Sequence, residues 1–204
     1  MNIERRFFKS KVEIRAGADG KPSMICGYAA NYGKPSSELR SSKGNFVEVI
    51  EPGFFDAVLQ DDVRCLFNHD ANLILARSNA GKGTLRIFSD ENGLGYECDA
   101  PDTTTGRDVA ESIRRGDIDA SSFAFSVRSG GDKWERRDGL LVRTLLKGGC
   151  ESLIDVSPVT YPAYPSTEVT VRSLDQFLAA AAPEQKPTQP PLDLWEKRLA
   201  STVR

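Results

Sequence analysis

The chain has 204 residues, 39% apolar and 27% charged, enough for one sizeable domain with its own core and some trimming at the ends. A formal net charge of -2 and a pI near 5.6 argue against a general binder of phosphate backbones. No run of about 18 apolar residues is present, so no transmembrane helix is expected, and the charged start MNIERRFFKSKVEIR has no apolar stretch after it to make a secretory signal. The four cysteines, at 26, 65, 98 and 150, match no zinc spacing. With a single histidine, neither a metal nor a cofactor is expected. The thiols read as small buried apolar residues in a reducing compartment.

Taken in chain order, the first 175 or so residues read as short strands separated by turns. Met24 to Ala29 is compact and mostly apolar, and Phe46 to Ile50 alternates with period two. FFDAVLQ, after Pro52-Gly53, fits a short helix. Val63 to His69 is a strand candidate, and GKG at 81 to 83 lacks the phosphate-loop spacing and reads as a turn. Thr84 to Ser89 and Gly95 to Asp99 follow, joined by the turn-like DENG. A helix is expected with Thr105 as cap, Val109 and Ile113 on one face and Gly116 at its left-handed end. Ser121 to Val127, Leu140 to Leu146, Ser152 to Val156 and Val169 to Arg172 complete the strands. Such a pattern predicts a mainly β fold, an antiparallel sheet or barrel with helices outside it.

From about Asp175 the composition changes. FLAAAA suggests a helical turn or two, and PEQKPTQPP holds four of the eleven prolines, the mark of an extended linker. Leu192, Trp195 and Leu199 recur at helical spacing in the last piece, a short amphipathic peptide. The expected organisation is a domain over 1–175 and a linker with its tail over 176–204.

Three side chains stand out as candidates for chemistry. His69, in FNHD, carries the only imidazole, a group able to take and return a proton near neutral pH. In Ser121 to Val127 the alternation puts Phe123 and Phe125 on one face with Ser121, and Ser122, Ala124 and Ser126 on the other. The aromatic face calls for burial, which leaves Ser122 to line a cleft as an exposed nucleophile. Asp155 alternates against Ile154 and Val156, so it either faces solvent or orients the imidazole. Asp70, Glu97 and Asp99 remain open alternatives for that acid. A cysteine hydrolase using Cys65 is a weaker reading, because on a strand Cys65 and His69 stand roughly 13 Å apart. TYPAYP at 160–165 is a rigid extended segment with no assigned chemistry.

In order, the blocks ICGYAANYG, FVEVIEPGFF, VRCLFNHD, NGLGYECDAPDT, GRDVAESIRRGDIDASSFAF and LIDVSPVTYPAYPSTEV resemble the caudovirus prohead protease family, from about residue 5 to residue 172. The resemblance implies a serine endopeptidase inside the immature phage head, in the host cytoplasm. Its substrate would be the scaffolding segment of the major capsid protein, and usually the protease itself. It also implies kinship with the herpesvirus assemblins and their β-barrel ringed by helices. The family histidine falls on His69, the family serine on Ser122 and the acid before V-S-P-V on Asp155. Assemblins use a second histidine as third member. This chain has none, so it must use a carboxylate or act as a dyad. A homo-oligomer with no nucleic-acid or membrane partner is expected, and self-cleavage between about Ala179 and Trp195. The alternative is a capsid-interior or scaffolding protein that kept the fold and lost the chemistry.

Overall fold

The computed structural model describes residues 3–8, 12–16, 23–41, 43–161 and 172–181. The strands in chain order are β1 (Glu4–Phe8), β2 (Val12–Arg15), β3 (Met24–Asn31), β4 (Leu39–Ser41), β5 (Gly44–Ile50), β6 (Val63–Phe67), β7 (Asp70–Asn79), β8 (Lys82–Gly83), β9 (Leu85–Ser89) and β10 (Gly93–Asp99). After helix α1 (Thr104–Arg115) come β11 (Ala120–Val127), β12 (Asp132–Arg137), β13 (Leu140–Leu145) and β14 (Cys150–Val159), and then helix α2 (Arg172–Ala181). The fold is mainly β, as expected.

It is not, however, a closed antiparallel barrel. The described strands form three open sheets, ordered β1-β11-β14-β6-β7-β8, β2-β3-β10-β9 and β12-β13-β5-β4. Two pairs run parallel, β14 with β6 and β13 with β5. Parallel neighbours need long connections, and both pairs are joined by crossings of dozens of residues, which interleave the first sheet with the third.

The core is fixed by aromatic side chains that converge on β11. Phe54 and Phe55, from the turn after β5, meet Phe125 and Phe123 at ring-centroid separations of 5.8 Å and 5.4 Å. All four rings are completely buried. Each contributes about 1.5–3 kcal/mol from burial, and the edge-on pairs add roughly 0.5–1.5 kcal/mol more. Gly53 makes that turn possible, with φ at +83°. The face of β11 that carries Phe123 and Phe125 is thereby pinned to the core.

The expected helix is present, but its cap is Thr103 rather than Thr105. The Thr103 side chain accepts the Gly106 N–H, while Gly116 closes the C-terminus in the left-handed region, as expected. FFDAVLQ contributes only a 3-10 turn over Asp56–Val58. GKG does not form a turn by itself: Ala80 and Gly81 make the bend, and Lys82–Gly83 pairs back as β8.

The chain divides into two compact units, Met1–Ser173 and Leu174–Arg204. The α2 helix is longer than the turn or two expected from FLAAAA and begins at Arg172, the last residue of the strand expected over 169–172. The rest of that strand, most of TYPAYP, the proline-rich linker with most of the self-cleavage window and the peptide carrying Leu192, Trp195 and Leu199 lie outside the described residues; the window's first residues, from Ala179, end α2.

Candidate active site

Three neighbouring strands of the first sheet, β11, β14 and β6, supply the candidate site. On β11 the alternation has the phase read from the sequence. Ser121 sits on the core face, bonded to the buried Tyr96 hydroxyl at 2.8 Å, and Ser122 points to the opposite face.

Asp155 owes its direction to a β-bulge. Phe125 pairs with Leu153, but the preceding residue of β11, Ala124, pairs with Asp155, so Ile154 is the extra residue on β14. Leu153 and Val156 both stay buried among the core residues. The inserted residue lets Asp155 and Ser157 follow Leu153 and yet face the other way, a known use of bulges beside active sites.

His69 is not at the end of a strand. It is the second residue of the two-residue turn between β6 and β7, closed by the pairing of Phe67 with Asp70. Asn68 and His69 have φ of 56° and 59°, the double positive φ of a type I′ hairpin turn. Asn is at home there, but histidine is an uncommon occupant and carries a cost in local strain. The turn is held by β14: the Asn68 N–H donates to the Pro158 carbonyl at 3.1 Å, and the Asn68 Oδ1 accepts the Thr160 N–H at 2.9 Å. The first bond carries the β6–β14 ladder past the end of β6, and the second ties the Asn68 side chain to the residue that follows β14.

The outcome is a linked row of polar atoms. His69 Nδ1 lies 2.5 Å from Asp155 Oδ1, and His69 Nε2 lies 2.6 Å from Ser122 Oγ. The Ser157 hydroxyl donates to Asp155 Oδ1 at 2.8 Å and stands 3.3 Å from His69 Nδ1. With the carboxylate ionised, the Nδ1 proton faces it, and the Nε2 lone pair faces the Ser122 hydroxyl. The Arg6 carbonyl on β1, 2.9 Å from Ser122 Oγ, is a second acceptor for that single hydroxyl proton. When His69 is protonated, Nε2 becomes a donor and the Ser122 proton turns to Arg6.

No open cleft is seen at Ser122 among the described residues: Ser122 is 0% exposed, and both faces of β11 are buried. The three side chains singled out in the sequence thus come together, with Ser122 and Asp155 buried and His69 partly exposed. The alternative acids are elsewhere, Asp99 being exposed at the end of β10 opposite Met24. Glu97 pairs with Arg86 and Arg15, and Asp70 accepts the backbone and side-chain N–H groups of Asn72. Cys65 is fully buried, and its neighbour Cys98 together with burial raises its thiol well above the ordinary range, so it supplies no thiolate. Ser157, Asn68 and the Arg6 carbonyl went unread in the sequence. Ser157 stands two residues from Asp155 and so shares its strand face, which was a usable signal.

On the other face of β11 lies a second polar cluster, dominated by ion pairs. Arg6 bonds Glu48 through Nε at 2.8 Å and Nη2 at 3.0 Å, and reaches Glu4 at 2.5 Å. Arg143 bonds Glu4 at 2.6 Å and 3.0 Å, Glu48 at 2.9 Å and Asp132 at 2.7 Å. Burial pushes the Glu4 carboxyl up, but the guanidinium groups of Arg6 and Arg143 outweigh it and hold it below its usual range.

No helix among the described residues is long and apolar enough to cross a membrane. No group of three or more histidine, cysteine, aspartate or glutamate side chains among them could hold a metal ion.

Among curated proteins, none matches this chain. Among solved structures the chain is similar to the bacteriophage T4 capsid assembly protease gp21, at 11% identity and a TM-score of 0.41, covering 75% of this chain and 97% of that one. The profile of the caudovirus prohead serine protease family matches residues 10–179, which include all three candidate side chains. The chain belongs to the caudovirus prohead serine protease family.

Proposed function

We propose that this protein is the endopeptidase that cuts the scaffolding segment of the major capsid protein inside the prohead, with Ser122 as nucleophile, His69 as general base and Asp155 as the orienting acid. The observation that carries this reading is the unbroken row Asp155–His69–Ser122, with contacts of 2.5 Å and 2.6 Å. A scaffolding protein that had lost its chemistry would have no reason to keep a strained histidine in line between a carboxylate and a hydroxyl.

The steps follow from the atoms. Ser122 Oγ attacks the peptide carbonyl carbon as its proton passes to His69 Nε2. Asp155 holds the Nδ1–H and stabilises the imidazolium. The imidazolium then gives the Nε2 proton to the leaving amine, and the C–N bond breaks to leave an acyl-enzyme. Water, deprotonated by the same nitrogen, attacks the ester and releases the acid, restoring the Ser122 hydroxyl. Because Ser122 is fully buried, a substrate carbonyl reaches Oγ only after this face opens. The opening exchanges the Arg6 contact for the substrate.

The test is co-expression with the capsid precursor, followed by mass spectrometry of the cut ends. Wild type is expected to yield shortened capsid protein and Ser122→Ala to leave the precursor intact while folding normally, since only one oxygen is lost. Intact precursor with the wild-type protein as well would end this reading.

A further inference from the structure

Asp155 is the natural candidate to orient His69, but it does not stand alone. Ser157 lies two residues on along β14, on the same face, directly opposite Ser122 in the β11–β14 ladder. It is 0% exposed, so its hydroxyl has no water to turn to. That hydroxyl donates to Asp155 Oδ1, the very oxygen that faces His69 Nδ1, and its own oxygen stands 3.3 Å from the same nitrogen. Nδ1, Oδ1 and the Ser157 oxygen therefore form a closed triangle.

We infer that Ser157 is a positioning residue of the site, a fourth member that fixes the rotamer of Asp155 and through it the plane of the His69 ring. The inference rests on the reading of Ser122, His69 and Asp155 given above. A carboxylate has two oxygens and a freely turning terminal bond. One ligand, the imidazole, leaves that torsion to drift, and a second donor on the same oxygen removes the freedom. The triangle also defines the proton order. The Ser157 proton occupies one lone pair of Oδ1, so the Nδ1 proton takes another, and the Ser157 lone pair is turned to the Nδ1–H. Nε2 is then kept bare and aimed at Ser122. A serine serving only to fill space on β14 would have no need of this geometry. Ser126, which shares the site face of β11, bonds to Ser152 instead and touches none of the three groups.

The single histidine makes the test direct, because the downfield Nδ1 proton in the NMR spectrum has only one source. Wild type, Ser157→Ala, Ser157→Thr and Ser126→Ala are compared as full chains by that resonance. They are also compared by the rate at which a fluorophosphonate labels Ser122, the site being located by mass spectrometry. Ser157→Ala is expected to move or broaden the resonance and to slow labelling about tenfold, the loss of one hydrogen bond to a charged group. Ser157→Thr, which keeps the hydroxyl, restores both, and Ser126→Ala changes neither. An unmoved resonance in Ser157→Ala, or labelling within twofold of wild type, overturns the inference. A wild-type chain that is never labelled counts against Ser122 as nucleophile. The resonance comparison then still decides the place of Ser157.

Discussion

The two faces of β11 carry two buried polar clusters built on opposite principles. Toward β5 and β13 lie five ionised groups, three carboxylates and two guanidiniums, in which forked arginines engage Glu4 and Glu48 at once. Toward β14 and the hairpin turn lie two serine hydroxyls, one imidazole and one carboxylate, arranged in a row rather than a cage. A cage of fixed charges leaves none of its buried polar atoms without a partner. A row in which one hydroxyl faces a bare imidazole nitrogen offers a path for a proton between Ser122 and His69, which is what general-base chemistry requires. Arg6 belongs to both clusters: its side chain is locked in the cage, and its carbonyl accepts from Ser122. The rigid face thus determines where the second acceptor of the Ser122 hydroxyl sits.

The sharpest separation of the two faces comes from Asp155→Asn. It should leave the thermal unfolding of the chain close to wild type while lowering turnover by about 10⁴, the cost seen when an orienting carboxylate is lost and the imidazole takes the wrong tautomer. Turnover near wild type would make the site a serine–histidine dyad and Asp155 a structural acid. Arg143→Met tests the other face. It strips Glu4, Glu48 and Asp132 of their shared cation, and the expected loss is about 3–5 kcal/mol of stability in denaturant unfolding. Fluorophosphonate labelling per folded molecule should persist, and a stable variant with a dead site would erase the distinction between the faces. The smallest effect concerns acid. Since Glu4 is held below its usual carboxyl range in the folded chain, its contribution is present above the unfolded value and is lost as the pH falls through the folded one. Glu4→Gln should therefore unfold at lower temperature than wild type at neutral pH, and the two melting curves should draw together as the solution is acidified. A constant gap at every pH would show that Glu4 acts by packing alone.

The same contrast explains what could be read in the sequence. A strand whose apolar residues alternate, such as β11, was legible, because one face packs on aromatic rings and the other does not. β5 was found by its apolar content, although its buried face is Phe46, Glu48 and Ile50 and its half-exposed one Val47 and Val49. β1 escaped notice because its inward residues are Glu4 and Arg6, charges that mimic an exposed segment and are buried only through partners 42 and 139 residues away. β12, with the sequence DKWERR, is similar: Trp134 packs on Phe46 at 4.9 Å, and its Nε1 donates to Ser173. The phase of Ser122 was legible from the aromatic alternation, whereas its burial depends on neighbours that no local pattern contains. His69 was found as the only imidazole, yet its place in a turn was hidden, since a histidine at positive φ runs against local preference and is kept there by Pro158 and Thr160 of a distant strand. The open sheets were not legible either, because parallel pairing of β5 with β13 and of β6 with β14 leaves no local signal.

The position of β14 has a consequence for the birth of the protein. It is the last strand of the described sheets to leave the ribosome, yet it lies in the middle of its own, between β11 and β6. Until Cys150–Val159 emerges, that sheet exists only as two fragments, β6-β7-β8 and β1-β11, with nothing to join them. Domains form as units during synthesis from the N-terminus, and here the joining piece comes late. The growing chain has no Asp155 to face His69, no Ser157, and no Pro158 or Thr160 to hold the Asn68 turn. The row of groups is therefore completed only once β14 has been made, and a chain shorter than that has no assembled site.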